Sequence, residues 1–193
     1  MKKKILLGLS GSVACSKAEL FVNQNSDKYE FKLLSTHSGL NYLSEQFIKS
    51  NNIYSDWSEL SGSPHIELAR WADEIIIYPA SANLISKISS GIADDLLTST
   101  ILMFSKPIYI CPAMHEEMYM NSQIQSNILN LSKNHYIVGP RYGSLDIGDK
   151  GLGRLVEPDE LLEVLNKQKG KIIVTSGPTY EEIDDVKVVT NKS

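Results

Sequence analysis

Cysteine is scarce in this sequence. Only Cys15 and Cys111 occur in 193 residues, and their spacing suits neither a metal-ligand pair nor a disulfide framework. Long apolar runs are absent too: nothing approaches the roughly 20 residues that cross a bilayer, which argues against a membrane-spanning helix in these residues. Neither sign of charge dominates, since 19 basic residues face 23 acidic ones for a net charge of −4. That balance argues against a nucleic-acid partner. Met1-Lys2-Lys3-Lys4 followed by Ile5 to Leu9 has the outline of a signal peptide, but the apolar run is short and Ser10-Gly11-Ser12 interrupts it. Neither Gly-x-Gly-x-x-Gly nor a Walker loop occurs, which lowers the case for a dinucleotide or a nucleoside triphosphate. A cytoplasmic protein with free thiols is expected.

What is present is the composition of a globular domain, 42% hydrophobic and 22% charged, in a chain long enough to bury one substantial core. Short β-rich runs alternate with segments of helical period. Strands are expected at Lys3–Ser10, Phe31–Thr36, Glu74–Pro79, Pro107–Cys111, Tyr136–Val138 and Lys171–Thr175. Helices are expected over 13–24, 39–50, 83–104, 121–133 and 158–168. The alternation predicts an α/β fold, a doubly wound, Rossmann-like parallel sheet, with polar loops gathered at the C-terminal ends of the strands.

Four of those loops carry chemistry. Gly8 to Ala14 combines glycines and hydroxyls where a helix begins, as a bound phosphate requires, or simply as a tight turn requires. Ser35-Thr36-His37-Ser38-Gly39 offers further hydroxyls, for a ligand or for helix capping. Pro79-Ala80-Ser81-Ala82-Asn83 ends a buried strand in small residues that let a flat ring approach the backbone. Cys111-Pro112-Ala113-Met114-His115 brings a Met and a His to the same rim. Asp94 and Asp95 have the look of an acid–base pair, but neighbours on a helix point about 100° apart, and a polar or capping role is the better expectation.

The blocks Gly11-Ser12-Val13-Ala14, Pro79 to Asn83, Gly91-Ile92-Ala93-Asp94-Asp95-Leu96-Leu97-Thr98 and Pro112-Ala113-Met114 together resemble the flavin-containing cysteine decarboxylases, of phosphopantothenoylcysteine decarboxylase type, over about residues 3–165. The resemblance implies FMN as cofactor, held by Gly11, Ser12, Val13, Thr36, Ser38, Ser81, Ala82, Asn83 and Ala113 between the subunits of a homo-oligomer, a trimer or a dodecamer built from trimers. It implies 4′-phosphopantothenoylcysteine as substrate, decarboxylated to 4′-phosphopantetheine in coenzyme A biosynthesis. The resemblance further implies that the thiol is first oxidised by the flavin to a thioaldehyde, which places the carboxylate β to an electron sink.

His65, in Ser63-Pro64-His65-Ile66-Glu67, matches the family's catalytic histidine segment. Pro64 suits the first helical position with Ser63 as cap, and the positive end of a helix favours the neutral ring, the form that accepts a proton. Met114, His115 and Arg154 are the implied substrate contacts. His115 stands where an Asn is usual, and a histidine there still donates to a carboxylate. Leu145 to Arg154 resembles the family's mobile substrate clamp, but Ile147 replaces its customary Cys. Cys15 and Cys111 read as small buried hydrophobes, leaving Glu116 and Tyr119 as candidate proton donors.

Lys171 to Thr179, continuing through Asn191, resembles the opening of a phosphopantothenate–cysteine ligase domain. The division expected is 1–168 for the FMN-binding decarboxylase domain and 169–193 for a linker and truncated ligase start, mobile or weakly docked from residue 176 and without ligase activity. His115 and Ile147 keep open an FMN-binding trimeric regulatory or interaction protein without turnover. A peptidyl-cysteine decarboxylase or a prenyl-transferring flavin enzyme is a third reading, opposed by the ligase-like C-terminus.

Overall fold

The computed structural model describes residues 2–59, 62–167, 180–182 and 188–190. Its centre is a six-stranded sheet in which all paired neighbours run parallel: β1 (Lys3–Leu9), β2 (Tyr29–Ser35), β3 (Ile53–Tyr54), β4 (Glu74–Ala80), β5 (Tyr109–Pro112) and β6 (Tyr136–Ile137). The order across the sheet is β3-β2-β1-β4-β5-β6. The chain therefore builds outward from β1 in one direction, returns, and builds outward from β4 in the other.

Side-chain alternation along the strands assigns each residue to one of two cores. Ile5, Leu7 and Leu9 of β1 join Ile76 and Tyr78 of β4 on one face, packed by Phe21 and Val22 of α1 (Cys15–Asn25) and by Leu161 and Leu165 of α9 (Pro158–Lys167). Leu6, Ile75 and Ile77 point the other way. They meet Leu68 of α4 (Pro64–Trp71), Leu84 and Ile85 of α5 (Ala82–Ser90) and Leu97 and Ile101 of α6 (Leu96–Met103). Helices thus cover both faces, as near-continuous apolar strands such as Glu74–Ala80 require. Gly8 faces this second core closely: a Cβ there would stand 2.6 Å from Ile77 Cδ1 and 2.9 Å from Leu97 Cδ1.

Two expected helices are each split, for identifiable reasons. The 83–104 segment breaks because Gly91 closes α5 in the left-handed region at φ 67°, and Asp95 opens α6 with a reciprocal capping box to Thr98. Asp95 is thus a cap, and Asp94 pairs with Lys87 Nζ at 2.8 Å. The 39–50 segment becomes α2 (His37–Leu40), capped by Thr36, and α3 (Glu45–Ser50), capped by Ser44. Glu19 of α1 accepts from both the amide and hydroxyl of Ser44, which fixes the break. Ser63 occupies the expected cap position of α4 but contributes its carbonyl rather than its hydroxyl, accepting from Ile66 N at 3.0 Å.

Beyond the expected elements, β3 forms the edge of the sheet next to β2, α7 (Glu116–Met120) precedes α8 (Ser122–Leu131), and an antiparallel hairpin of β7 (Arg141–Ser144) and β8 (Lys150–Arg154) follows β6. The hairpin is the segment expected to be a clamp. The expected strand Lys171–Thr175 lies outside the described residues, while β9 (Tyr180–Glu182) and β10 (Val188–Thr190) pair antiparallel.

The fully buried Tyr78 hydroxyl donates to Val156 O at 2.8 Å, tying β4 to the segment that leads into α9. Tyr78→Phe is expected to destabilise the fold by about 1–2 kcal/mol, because it leaves a buried carbonyl unpaired. A lower urea midpoint at unchanged slope would show it.

Candidate functional site

The two directions of sheet growth diverge between β1 and β4, so the loops following these strands separate and leave a crevice at the rim. Ser10 sits at its base, 1% exposed. Its hydroxyl donates to Pro79 O at 2.9 Å and accepts from Ser81 N at 2.8 Å, joining the two loops by one side chain. Beyond it, the chain turns through Gly11 to Ala14 into α1. The amides of Gly11, Ser12 and Val13 have no protein acceptor among the described residues.

Two cavities open on this rim and share Ser81. The larger, about 610 Å³, is lined by Gly11, Ser12, Val13, Ala82, Ala113, Met114, His115 and Arg154, together with Lys17, Tyr42 and Met118. The smaller, about 350 Å³, is lined by Thr36, Ser38, Asn83, Trp57, Lys87 and the Asp94–Asp95 pair. Both volumes suit small-molecule sites. The expected cofactor contacts therefore divide between the two, while all three expected substrate contacts fall in the larger. Gly11 is the partition, since a Cβ on it would lie 2.8 Å from Ser38 Oγ, and Thr36 Oγ1 lies 3.2 Å from the same hydroxyl.

His65 lines neither cavity in the single chain. It stands in the first turn of α4 with its ring edge-on to Trp57, centroids 5.3 Å apart, and Trp57 borders the smaller cavity. Its Nδ1 is buried with no hydrogen-bond partner among the described residues.

The expected substrate cations are both engaged by carboxylates. Arg154 pairs with Glu157, which also accepts from Lys17 Nζ at 3.0 Å. Burial opposes the ionisation of Glu157, but Lys17 and Arg154 outweigh it and hold the carboxyl below its ordinary range. His115 Nδ1 contacts Glu117, and its Nε2 lies 3.1 Å from Asp149 Oδ2. The hydrogen bond to Glu117 is the main cause of a raised His115 pKa; slight desolvation opposes it, and Asp149 adds to it.

The hairpin is docked on the Pro112–His115 loop. Met114 N donates to Gly153 O at 3.1 Å and Leu152 N donates to Glu116 Oε1 at 2.9 Å. Glu116, a candidate proton donor from sequence, thus serves as a backbone acceptor. Gly153 is required by this contact, because a Cβ would come within 2.1 Å of Met114 O. Cys15 and Cys111 are fully buried, and burial pushes the Cys15 thiol up to about 11 and raises Cys111 further. Among the described residues no cluster suited to a metal is found, and no helix is long and apolar enough to cross a membrane.

Ser10, Trp57, Lys17 and Asp149 were not singled out as site residues from sequence. An isolated Trp in a polar loop was the available signal for Trp57; nothing in the sequence marks Asp149 or the linking role of Ser10.

Comparison with known proteins is consistent across sequence and structure. The coenzyme A biosynthesis bifunctional protein CoaBC of Vibrio vulnificus (strain YJ016) is 36% identical over 207 residues, covering 99% of this chain and 51% of its own length. The chain spans about half the length of the curated relatives it matches. A solved structure of a mutant PPC decarboxylase complexed with pantothenoylaminoethenethiol superposes with a TM-score of 0.79 at 31% identity, over 86% of this chain and 97% of that one. The FMN binding protein AtHal3 superposes with a TM-score of 0.76 at 31% identity, over 89% of this chain and 100% of that one. With the Flavoprotein family matching residues 1–170, on a sheet whose switch point opens between β1 and β4, the chain belongs to the Flavoprotein family.

Proposed function

We propose that this chain binds FMN at the rim between β1 and β4 and decarboxylates 4′-phosphopantothenoylcysteine to 4′-phosphopantetheine in coenzyme A biosynthesis. The observation that carries the reading is the convergence at Ser81 of two cavities whose walls hold every expected cofactor and substrate contact. The residues fit the cofactor: unpaired amides at Gly11, Ser12 and Val13 suit a phosphate, and the missing Cβ of Gly11 brings Ser38 close to them. Thr36, Ser38, Ser81, Ala82, Asn83 and Ala113 complete the cofactor surface. When bound, FMN supplies the two-electron chemistry that turns the carbon next to the sulfur into an electron sink for decarboxylation.

The protein's own part is orientation and proton handling. Met114 offers an apolar, polarisable wall to the larger cavity, and His115 and Arg154 are its cationic partners for substrate carboxylate or phosphate. His65 accepts the proton released when the thiol-bearing carbon is oxidised. It lines neither cavity of the single chain, so this role belongs to a site shared between copies, in a trimer or a dodecamer built from trimers, acting in the cytoplasm. Residues 1–168 form the decarboxylase domain. The ligase-like reading of 169–193 falls mostly outside the described residues.

A second reading, FMN binding without turnover, is favoured by one observation: His115 and Arg154 are already occupied by Glu117, Asp149 and Glu157. Carbon dioxide release from 4′-phosphopantothenoylcysteine with saturating FMN separates the two, and no release would leave the binding protein. His65→Asn is expected to lower that release by at least about 100-fold, the usual size of a lost general base, with the flavin absorption bands retained. Arg154→Ala is expected to raise KM about tenfold with FMN still bound, the scale of one charge-assisted contact. An unchanged KM would remove Arg154 from substrate binding.

A further inference from the structure

Among the described residues, the ties between the Pro112–Glu116 segment and the β7–β8 hairpin include three polar contacts, one of which depends on a ring proton. The first two are the backbone bond from Met114 N to Gly153 O and the bond from Leu152 N to Glu116 Oε1, both at the stem of the hairpin. The third is at the tip. His115 places Nδ1 on Glu117 of its own helix and Nε2 on Asp149, 3.1 Å away across the gap. Carboxylates only accept, so both contacts exist together only when both ring nitrogens carry protons, that is, in the imidazolium. A neutral ring has one N–H and can satisfy one of the two carboxylates.

Asp149 is well placed to transmit that choice. Its carbonyl accepts from Leu145 N at 2.8 Å and so closes the tip loop, while its side chain docks the loop on His115. Ser144, at the end of β7, and Leu145 and Asp146 of the tip line the same 610 Å³ cavity as His115. The tip residues therefore form part of the cavity wall, and a displaced tip changes the shape of the cavity.

We propose that His115 is a proton-dependent pin between the substrate loop and the hairpin tip, with Asp149 as its positioning partner: on loss of one proton the ring keeps its remaining N–H on Nδ1 with Glu117, releases Asp149 and frees the tip. The role as a substrate gate rests on the decarboxylase reading; the docking itself does not.

The surrounding charges leave this pair as the responsive one. On α7, Glu116 is held by Leu152 N. On α1 and β8, Lys17 and Arg154 are both drawn to Glu157. Asp146 adds negative charge on the cavity side, and Lys150 follows Asp149 in the hairpin. The imidazole is raised above its ordinary value of 6.5, first through Glu117 on its own helix and then through Asp149, and only the Asp149 part belongs to docking. A group whose value is raised in the docked state favours docking fully below the undocked value, and that contribution is lost as pH rises through the docked value.

Amide hydrogen exchange of residues 144–150, corrected for intrinsic rate and followed from about pH 5.5 to 8.5, reads the pin directly in protein free of flavin and substrate. Protection is expected to fall with rising pH, about tenfold in all for each unit by which docking raises the imidazole, with its midpoint at the His115 ring titration measured by NMR. Asp149→Asn is expected to abolish the pH dependence and to move the His115 titration towards the ordinary histidine value. His115→Asn is expected to give protection that does not vary with pH. Wild-type protection independent of pH, a midpoint that does not coincide with the His115 titration, or an unaltered profile in Asp149→Asn would overturn the proposal. Since the wild-type comparison needs no variant, a misfolded variant leaves the test intact. Because no flavin is present, a failure here is distinct from a failure to bind FMN or release carbon dioxide.

Discussion

The parallel pairing of β1 with β4 is the constraint from which the rest of the molecule follows. Strands on either side of that seam are added in opposite directions, so the segments leaving β1 and β4 must separate at the rim, and a crevice opens there without any special sequence. Ser10 then limits how far they part. Its hydroxyl reaches both the carbonyl of Pro79 and the amide of Ser81, satisfying two backbone groups that would otherwise be unpaired in a buried place. Ser81 in turn caps α5 and borders both cavities, so one buried hydroxyl couples the core to each wall of the site.

Around that crevice the charged groups are arranged as a connected set rather than as isolated ligand contacts. Glu157 gathers Lys17 and Arg154 at the start of α9, and Glu117 with Asp149 brackets His115. These ties orient long side chains that would otherwise be free in solvent, and they mean that an anionic substrate competes with resident carboxylates for the same cations. Most of these pairs are partly exposed, where ion pairing contributes little to stability; their effect is on geometry and exchange.

Much of the sheet was legible because buried parallel strands are continuous apolar runs. Ile75-Ile76-Ile77 admits few other readings, and the expected strand ends fall within about two residues of those found. Helix breaks were harder. The apolar content of 83–104 runs on through Gly91, and only the left-handed conformation there and the Asp95 capping box divide it. The hairpin was recognised as a loop by its glycines, but β7 is largely exposed and the residues β8 buries are glycines, so there is no alternating apolar pattern and nothing local announces pairing. Its register is set instead by the fit of Gly153 under the Met114 carbonyl and of Gly151 beside Glu116, contacts between segments 35 or more residues apart.

By itself the sequence determined the α/β class, the two apolar faces of the central strands and the identity of the four rim loops, because these depend on periodicity and on residue types at strand ends. Only the tertiary structure decided that the expected cofactor contacts fall on two cavities divided at Gly11 and Ser38, that His65 stands behind Trp57, and that Arg154 and His115 are bound by carboxylates. Those outcomes depend on which loops the strand order brings side by side, and on side-chain pairings such as His115 with Asp149, 34 residues apart, which no local pattern encodes.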